Sequence, residues 1–278
     1  MKPAPLEYVR PRSVQEAVAL LSDEAANAKV FAGGQSLGPM LNLRLARPGQ
    51  LVDIRHIPEL RAVRADSKSC SIGATLTHAE IEDGAIEDFS CGLLRYVARG
   101  IAYRAVRNRG TVGGSLAHAD PAADWVSTMA AIDATIVIRG QAGERRVPAK
   151  EFLVGAFTSE LSATELLVAV ELPRLSAGAR WGYYKICRKT GEFAKAIGVA
   201  IHDPQIGLFR VLAGSTEGRP VLLTRSAENL ASRGPEHAAR DVREEIEEVL
   251  PHIASGHRQQ LAVAVQRSLQ QISLAEAA

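Results

Sequence analysis

Two short clusters of bare backbone, 33-GGQS-36 and 113-GGS-115, constrain this chain more than any other feature of it. Each places adjacent glycines ahead of a hydroxyl. Without Cβ atoms, backbone N–H groups can approach a bulky anion closely, and a serine adds one further donor. The first cluster follows an apolar run, 30-VF-31, so a strand would deliver it. By itself it reads more simply as a turn than as a phosphate cradle. Together the two suit a ligand with linked phosphates, held from both sides by dipoles and hydroxyls rather than by lysines. Familiar nucleotide templates do not apply. GxGxxG is absent, and Gly33 and Gly38 keep only the outer spacing of GxxxxG, with Pro39 and Met40 where a P-loop needs Lys and Ser/Thr.

Charge agrees with a cradle that uses no lysine. The 33 basic and 31 acidic residues leave a formal net charge of +2, which gives no case for nucleic acid or an anionic membrane. The basic run 104-RAVRNR-109 carries no interleaved aromatic residue and reads as surface or carboxylate-pairing arginines. No apolar run approaches the ~18 residues of a membrane span, and MKPAPLEYVRP lacks the apolar centre of a signal peptide, so a cytoplasmic location is expected. Cys70, Cys91 and Cys187 lie far apart with no CxxC, which disfavours structural zinc, an iron–sulfur cluster and a disulfide framework in this chain. His118, Asp120 and Asp124 follow no recognised ligand spacing, and no metal site is expected.

Periodicity along the 278 residues, 46% of them hydrophobic, indicates an α+β protein rather than a regular βαβ repeat. Ser13 and Glu16 form a capping box ahead of a helix over 13–22, and 77-THAE-80 forms a second. Strands are expected at 28–32, 50–54, 61–65, 70–74, 134–139 and 166–172. Helices are expected at 39–45, opened by Pro39, near 89–102, and at 122–132. Pro, Ser and Gly in 173-PRLSAGAR-180 mark a boundary. Beyond it, strands at 181–186, 195–201, 208–214 and 221–223 lead into helices at 236–250 and 258–273.

The segments 32-AGGQS-36 and 111-TVGGS-115, with 107-RN-108 ahead of the second and 120-DPAAD-124 behind it, resemble the flavin-binding medium subunit of molybdenum hydroxylases. That family includes carbon monoxide and xanthine dehydrogenases and the bacterial quinoline, nicotine and caffeine dehydrogenases. The likeness extends through 50-QLVDIRHIPEL-60, 71-SIGA-74 and 166-LLVAVELP-173 to 183-YYKICRKTGEFA-194. It implies a two-lobed FAD-binding domain of the vanillyl-alcohol-oxidase (PCMH) type over 1–175, with lobes at about 1–55 and 56–175. A smaller α+β C-terminal domain over 176–278, a small antiparallel sheet plus helices, would follow.

By the same resemblance, Ala32, Gly33, Gly34, Gln35, Ser36 and Leu37, with Thr111, Val112, Gly113, Gly114 and Ser115, hold the FAD pyrophosphate. Asp124 matches a carboxylate contacting the flavin part, although as a residue it also suits a helix start. Lys185 matches a basic residue near the isoalloxazine, placed to stabilise an anionic reduced flavin. Ile101 and Leu167 fall at apolar or backbone contacts to the ring, and His118 lies beside the cofactor or packs behind the loop. Where the family commonly has Gly-Asp-Tyr/Trp/Phe-Ala, this chain has Gly191, Glu192, Phe193 and Ala194, so Phe193 offers an apolar plate without a tyrosine hydroxyl. The segment between Ile201 and Val221 is also shorter than the family's, with 202-HDPQIG-207 in place of a longer strand connection.

The resemblance further implies an electron relay. A large subunit with a molybdopterin-type cofactor oxidises substrate, a small subunit passes electrons through two 2Fe-2S clusters, and FAD here delivers them to an external acceptor. The expected assembly is an (LMS)2 heterohexamer. The missing cysteine motifs fit that division of labour, and no catalytic side chain is expected here because the protein mainly positions and tunes the flavin. A stand-alone flavin oxidase is the alternative, but about 100 residues beyond the boundary are few for a substrate domain. A nucleotide-binding scaffold without redox activity is the other.

Overall fold

A computed structural model describes residues 2–276. Its first elements are β1 (Glu7–Val9), α1 (Val14–Leu21), β2 (Ala28–Phe31), α2 (Leu37–Asn42) and β3 (Gln50–Asp53). The three strands form a parallel sheet in the order β1-β3-β2. Alanine and valine at 17 and 18, with Leu21, bury one stripe of α1 against Val52, Ile54 and Ile57. The Ser13 hydroxyl caps α1 by accepting from the Glu16 N–H, while the Glu16 carboxylate accepts from the Arg12 N–H, so only the first half of the expected capping box forms.

A second group follows: β4 (Val63–Ala65), β5 (Ser69–Gly73), α3 (His78–Glu82), α4 (Leu93–Gly100), α5 (Arg104–Arg107), α6 (Val112–His118), α7 (Asp124–Ala131), β6 (Thr135–Gly140), β7 (Gly143–Pro148), α8 (Ala149–Phe152), β8 (Leu153–Gly155), β9 (Thr158–Ser159) and β10 (Leu166–Pro173). Five of these strands form an antiparallel sheet in the order β4-β5-β10-β6-β7. Ile72, Val170, Ile136 and Ile138 alternate onto its inner face, where α7 buries Trp125 and Met129.

The third group is β11 (Arg180–Ile186), β12 (Ala196–Asp203), β13 (Leu208–Gly214), β14 (Val221–Leu222), α9 (Thr224–Arg233), α10 (Pro235–Val249) and α11 (Ser255–Glu276). Its strands form an antiparallel sheet in sequence order. One face packs on the three helices through Ala200, Val211, Val242, Ile246, Leu261 and Val265. The other contributes Tyr183, Ile197, Val199 and Leu212 to the same core as α4 and α7. The chain is therefore α+β, and apolar packing is continuous across residue 175.

Several expected elements differ at their ends for local reasons. The helix expected at 89–102 begins only at Leu93, because the Asp88 carboxylate accepts from the N–H groups of Ser90 and Gly92 and holds a turn there. The helix expected at 39–45 spans Leu37–Asn42 instead, with Pro39 within its first turn, and it ends where Arg44 takes a left-handed conformation (φ 58°). Residues 58–61 form a 3-10 turn that shortens the strand expected at 61–65 to Val63–Ala65. Strands β1 and β7 were not expected. The first is three residues long, and 143-GERRVP-148 is a polar, largely exposed edge strand without an apolar alternation. The short connection 204–207 closes β12 and β13 as a tight hairpin. Among the described residues no helix is long and apolar enough to cross a membrane.

One buried carboxylate fixes the turn between the second and third groups. Asp203 accepts from the Ser176 N–H at 2.7 Å, the Ser176 hydroxyl at 2.6 Å and the Gln205 N–H at 3.2 Å. Nearby, the Trp181 indole donates to the Cys91 carbonyl at 2.8 Å. Replacing Asp203 by Ala leaves the half-buried Ser176 N–H and hydroxyl without that acceptor. The expected loss is about 1–3 kcal/mol of unfolding free energy, read by denaturant titration, with Asp203→Asn retaining part of it.

Candidate functional site

The fold brings the first glycine cluster into backbone contact with Arg109 and Gly110, the residues just ahead of the second. A Cβ placed on Gly33 would stand 2.1 Å from the Arg109 carbonyl oxygen and 2.9 Å from Gly110 Cα. Only glycine permits that approach. Behind the contact, the 77-THAE-80 capping box anchors the second cluster: Thr77 bridges Thr111, and the His78 N–H donates to the Gly110 carbonyl at 3.0 Å. The His78 ring is buried against Gly110, and its Nδ1 accepts from the Trp125 indole N–H at 3.0 Å. That bond places the ring proton of the neutral histidine on Nε2. Burial, and then the nearby Arg107 charge, push the His78 pKa down to about 4.

The first cluster has its own support. Gly34 adopts φ 71°, above the edge of the Phe31 ring, and the Arg55 guanidinium lies over that ring at 5.2 Å. Asp53 fixes Arg55 through two hydrogen bonds of 2.8 Å and also accepts from the Tyr8 hydroxyl. Burial opposes the Asp53 charge, but the hydrogen bonds from Arg55 and Tyr8 outweigh it and hold its pKa at about 2.

The two clusters are not equivalent. In the first, the N–H groups of Gly33 through Leu37 find no acceptor among the described residues. In the second, Val112 donates to Leu76, Gly113 to Ala74, Gly114 to the Thr111 hydroxyl and Ser115 to the Thr111 carbonyl. The reason is that 112–118 is helical, capped by Thr111, rather than a loop as expected from its glycines. Gly113 is required there because a Cβ would meet Ala74 at 2.6 Å. The expected symmetrical pair of N–H cradles is thus one open cradle, Ala32 to Leu37, facing a helix start that still offers the Thr111 and Ser115 hydroxyls. Gly33 is buried while Gln35 and Ser36 are exposed, so the run of five open N–H groups starts inside the fold and ends at its surface, an arrangement in which successive backbone donors can hold an anion.

A second constellation lies at the C-terminal end of α4. The Lys185 ammonium donates to Asp124 Oδ1 at 2.8 Å and to the Gly100 carbonyl at 2.9 Å, and the Tyr183 hydroxyl donates to the same Asp124 oxygen at 2.5 Å. Asp124 is the first residue of α7, where a carboxylate also suits the helix dipole. Burial, and then Asp124, raise the Tyr183 pKa well above its usual value, so the phenol remains a donor. Next to Gly100, Ile101 forms a parallel bridge with Gly191, and Ala102 takes a left-handed turn (φ 41°). Arg107 braces this turn by donating to the carbonyls of Ile101 and Ala102 while pairing with Glu82. Arg104 pairs with Glu82 and Asp83, which accounts for those two members of the arginine run.

Ile101, Asp124, Lys185 and the Gly191 loop that carries Phe193 therefore lie together. Phe193 is 69% exposed. Leu167 is placed differently: its side chain is buried in the core opposite Ile138 on β10, so only its backbone can face a ligand. His118 sits at the other end of α6 from Thr111, about 10 Å along the helix, with its ring 5.3 Å from Phe157. Asp120 caps the Ala122 N–H, and Asp124 is committed to Lys185 and Tyr183. Tyr183, Gly100, Gly110 and His78 went unrecognised in the sequence. For Tyr183 a signal existed: it stands two residues before Lys185 on a strand and so shares its face.

Comparison with known proteins places this geometry among relatives. A family model described as the FAD binding domain in molybdopterin dehydrogenase matches residues 4–175. The carbon monoxide dehydrogenase medium chain of Hydrogenophaga pseudoflava is 41% identical over 196 residues, 70% of this chain and 68% of that one. A subunit alpha of the 6-hydroxypseudooxynicotine dehydrogenase complex of Paenarthrobacter nicotinovorans is 41% identical over 194 residues, 70% of this chain and 66% of its own length. Among solved structures, a chain of the Hydrogenophaga pseudoflava carbon monoxide dehydrogenase superposes with a TM-score of 0.88 at 32% identity. A chain of quinoline 2-oxidoreductase from Pseudomonas putida 86 gives 0.88 at 33%. Both cover 99% of this chain and 99% of their own.

Because folding favours neutral His78, its contribution to stability is fully present above the ordinary histidine pKa of 6.5 and is lost as pH falls through about 4. Unfolding titrations between pH 7 and pH 4 are expected to show this loss in the wild-type chain, with tryptophan fluorescence reporting Trp125. In His78→Gln the histidine share of the pH slope should vanish.

Proposed function

Because this chain belongs to the family of FAD-binding domains of molybdopterin dehydrogenases, we propose that it is the FAD-carrying electron-transfer subunit of a multi-subunit molybdenum hydroxylase. One observation supports this reading most: five acceptor-free N–H groups, Gly33 to Leu37, of which Gly33 abuts the backbone of Arg109 and Gly110 just ahead of the second glycine cluster. The residues present fit a diphosphate without any lysine. The cradle supplies N–H donors, and Ser36, Thr111 and Ser115 add hydroxyls. FAD, when bound, supplies the one- and two-electron chemistry of the relay.

The protein's share is holding and orienting. Gly33 sets the approach of the first cluster to Arg109 and Gly110, Gly113 seats the second against Ala74, and Phe31, Arg55 and Asp53 support the first. Ile101 and Phe193 provide apolar surface for the ring, and Lys185 retains one N–H beyond those given to Asp124 and Gly100. His118 and Leu167 belong to the rim and the backbone support rather than to direct side-chain contacts. We divide the chain at residue 175, where the family match ends and beyond which a separate cluster on α9 to α11 begins.

The proposed partners are a large molybdenum-binding subunit and a small subunit with two 2Fe-2S clusters, two copies of each of the three chains forming an (LMS)2 heterohexamer. The names of the relatives, a medium chain and a subunit of a complex, support that reading. A cytoplasmic location agrees with three free cysteines.

The purified full chain is expected to show flavin absorption bands and to release FAD on denaturation. Gly33→Ala, which forces a methyl group into the Arg109 carbonyl, should bind FAD at least about tenfold more weakly, ~1.4 kcal/mol, with its circular dichroism unchanged. A chain that stays colourless after gentle purification and reconstitution with FAD would sink the proposal.

A further inference from the structure

The Lys185 charge is not free. It meets Asp124 at 2.8 Å, and the two side chains are each only 9% exposed. The Asp124 oxygen that accepts from Lys185 also accepts from Tyr183, so both donors lock the carboxylate on one side. Gly100, the second acceptor of Lys185, immediately precedes Ile101 and its bridge to Gly191. The pair thus stands against the segments that carry Ile101 and Phe193. Where water is excluded, a bare cation acts over several ångströms with little screening. A contact ion pair presents only the much weaker field of a dipole.

We infer that Asp124 and Lys185 act as one compensated pair that sets the reduction potential of the flavin, with Asp124 masking the lysine charge and Tyr183 as a positioning residue that holds Asp124 in place. This inference rests on the proposed FAD site. It alters the role expected for Lys185 from its position alone. The lysine is a hydrogen-bond donor of zero-sum charge, and the acidic partner decides how strongly electrons are held. Reduction adds electrons to the ring, so neutralising Asp124 unmasks a cation and favours the reduced form. Removing Lys185 unmasks an anion and favours the oxidised form. Removing both returns the local charge to its original sum.

The test is a reductive titration of the FAD-loaded full chain with dithionite in the presence of a reference dye. The wild type is compared with Asp124→Asn, Lys185→Met, the double variant and Tyr183→Phe. The midpoint is expected to rise in Asp124→Asn, to fall in Lys185→Met and to return close to wild type when the two are combined. Tyr183→Phe, which keeps both charges, should loosen FAD or lower the melting temperature while leaving the midpoint nearly unmoved. Shifts of the same sign in the two single variants, or none with FAD still bound, overturn the inference. A Tyr183→Phe shift as large as that of Asp124→Asn overturns it as well, by assigning the effect to hydrogen bonding. Should Lys185→Met fail to fold around an uncompensated Asp124, Asp124→Asn and the double variant still decide the matter, because neither leaves a buried anion unpaired. A wild-type chain that binds no FAD fails the functional proposal itself. An FAD-loaded wild type with unmoved potentials in the variants fails only this inference.

Discussion

Gly33 and the carbonyl of Arg109 occupy space that a single methyl group would fill. That contact sets the segment after β2 of the parallel three-stranded sheet against the backbone just ahead of α6. Much of the surrounding detail preserves it. Gly34 rests on Phe31, Phe31 lies under Arg55, and Arg55 is held by Asp53, so the first cluster is supported from its own sheet. On the other side, Thr77 and His78 tie Thr111 and Gly110 to a capped helix, and Trp125 fixes the His78 ring. Two independent braces converge on one gap, which is how a cradle of unpaired N–H groups persists without closing on itself.

The charged constellation obeys a different constraint. Lys185 and Asp124 would each be costly to bury alone, and they are buried together with a phenol and a carbonyl completing their hydrogen bonds. Three segments distant in sequence therefore depend on one carboxylate: the end of α4, the start of α7 and the strand β11. Continuous apolar packing of Tyr183 and Ile197 with Leu94 and Trp125 makes the arrangement stiff. A rigid, charge-compensated setting is what a subunit that positions a redox group, rather than performing acid–base chemistry, requires.

Much of the architecture was legible in residues 13–22, 50–54, 70–74, 134–139 and 166–172, because capping boxes and apolar alternation act locally. What escaped was local in another sense. The polar edge strand 143–148 carries no apolar period, and Asp88 delays a helix by satisfying two N–H groups with its side chain. The second glycine cluster looked like a loop because glycine is a poor helix former, yet Thr111 caps it and Ala74 demands its small size. Its N–H groups are consumed as a result, and the site is one-sided in donors.

By itself the sequence determined the class of the fold, the two places where backbone would lie bare, and, through 32-AGGQS-36 with 111-TVGGS-115, the family. Glycine spacing and capping residues are short-range properties, so they survive reading along a line. Only the tertiary structure decided that the first cluster abuts Arg109 and Gly110 ahead of the second, which cluster keeps its donors, and that Lys185 pairs with Asp124 under the hydroxyl of Tyr183. Apart from the local bonds of Gly114 and Ser115 to Thr111, those facts depend on partners that arrive from 36 positions away, as Leu76 for Val112, to 85, as Gly100 for Lys185, and a chain acquires them only when its packed core fixes the distances.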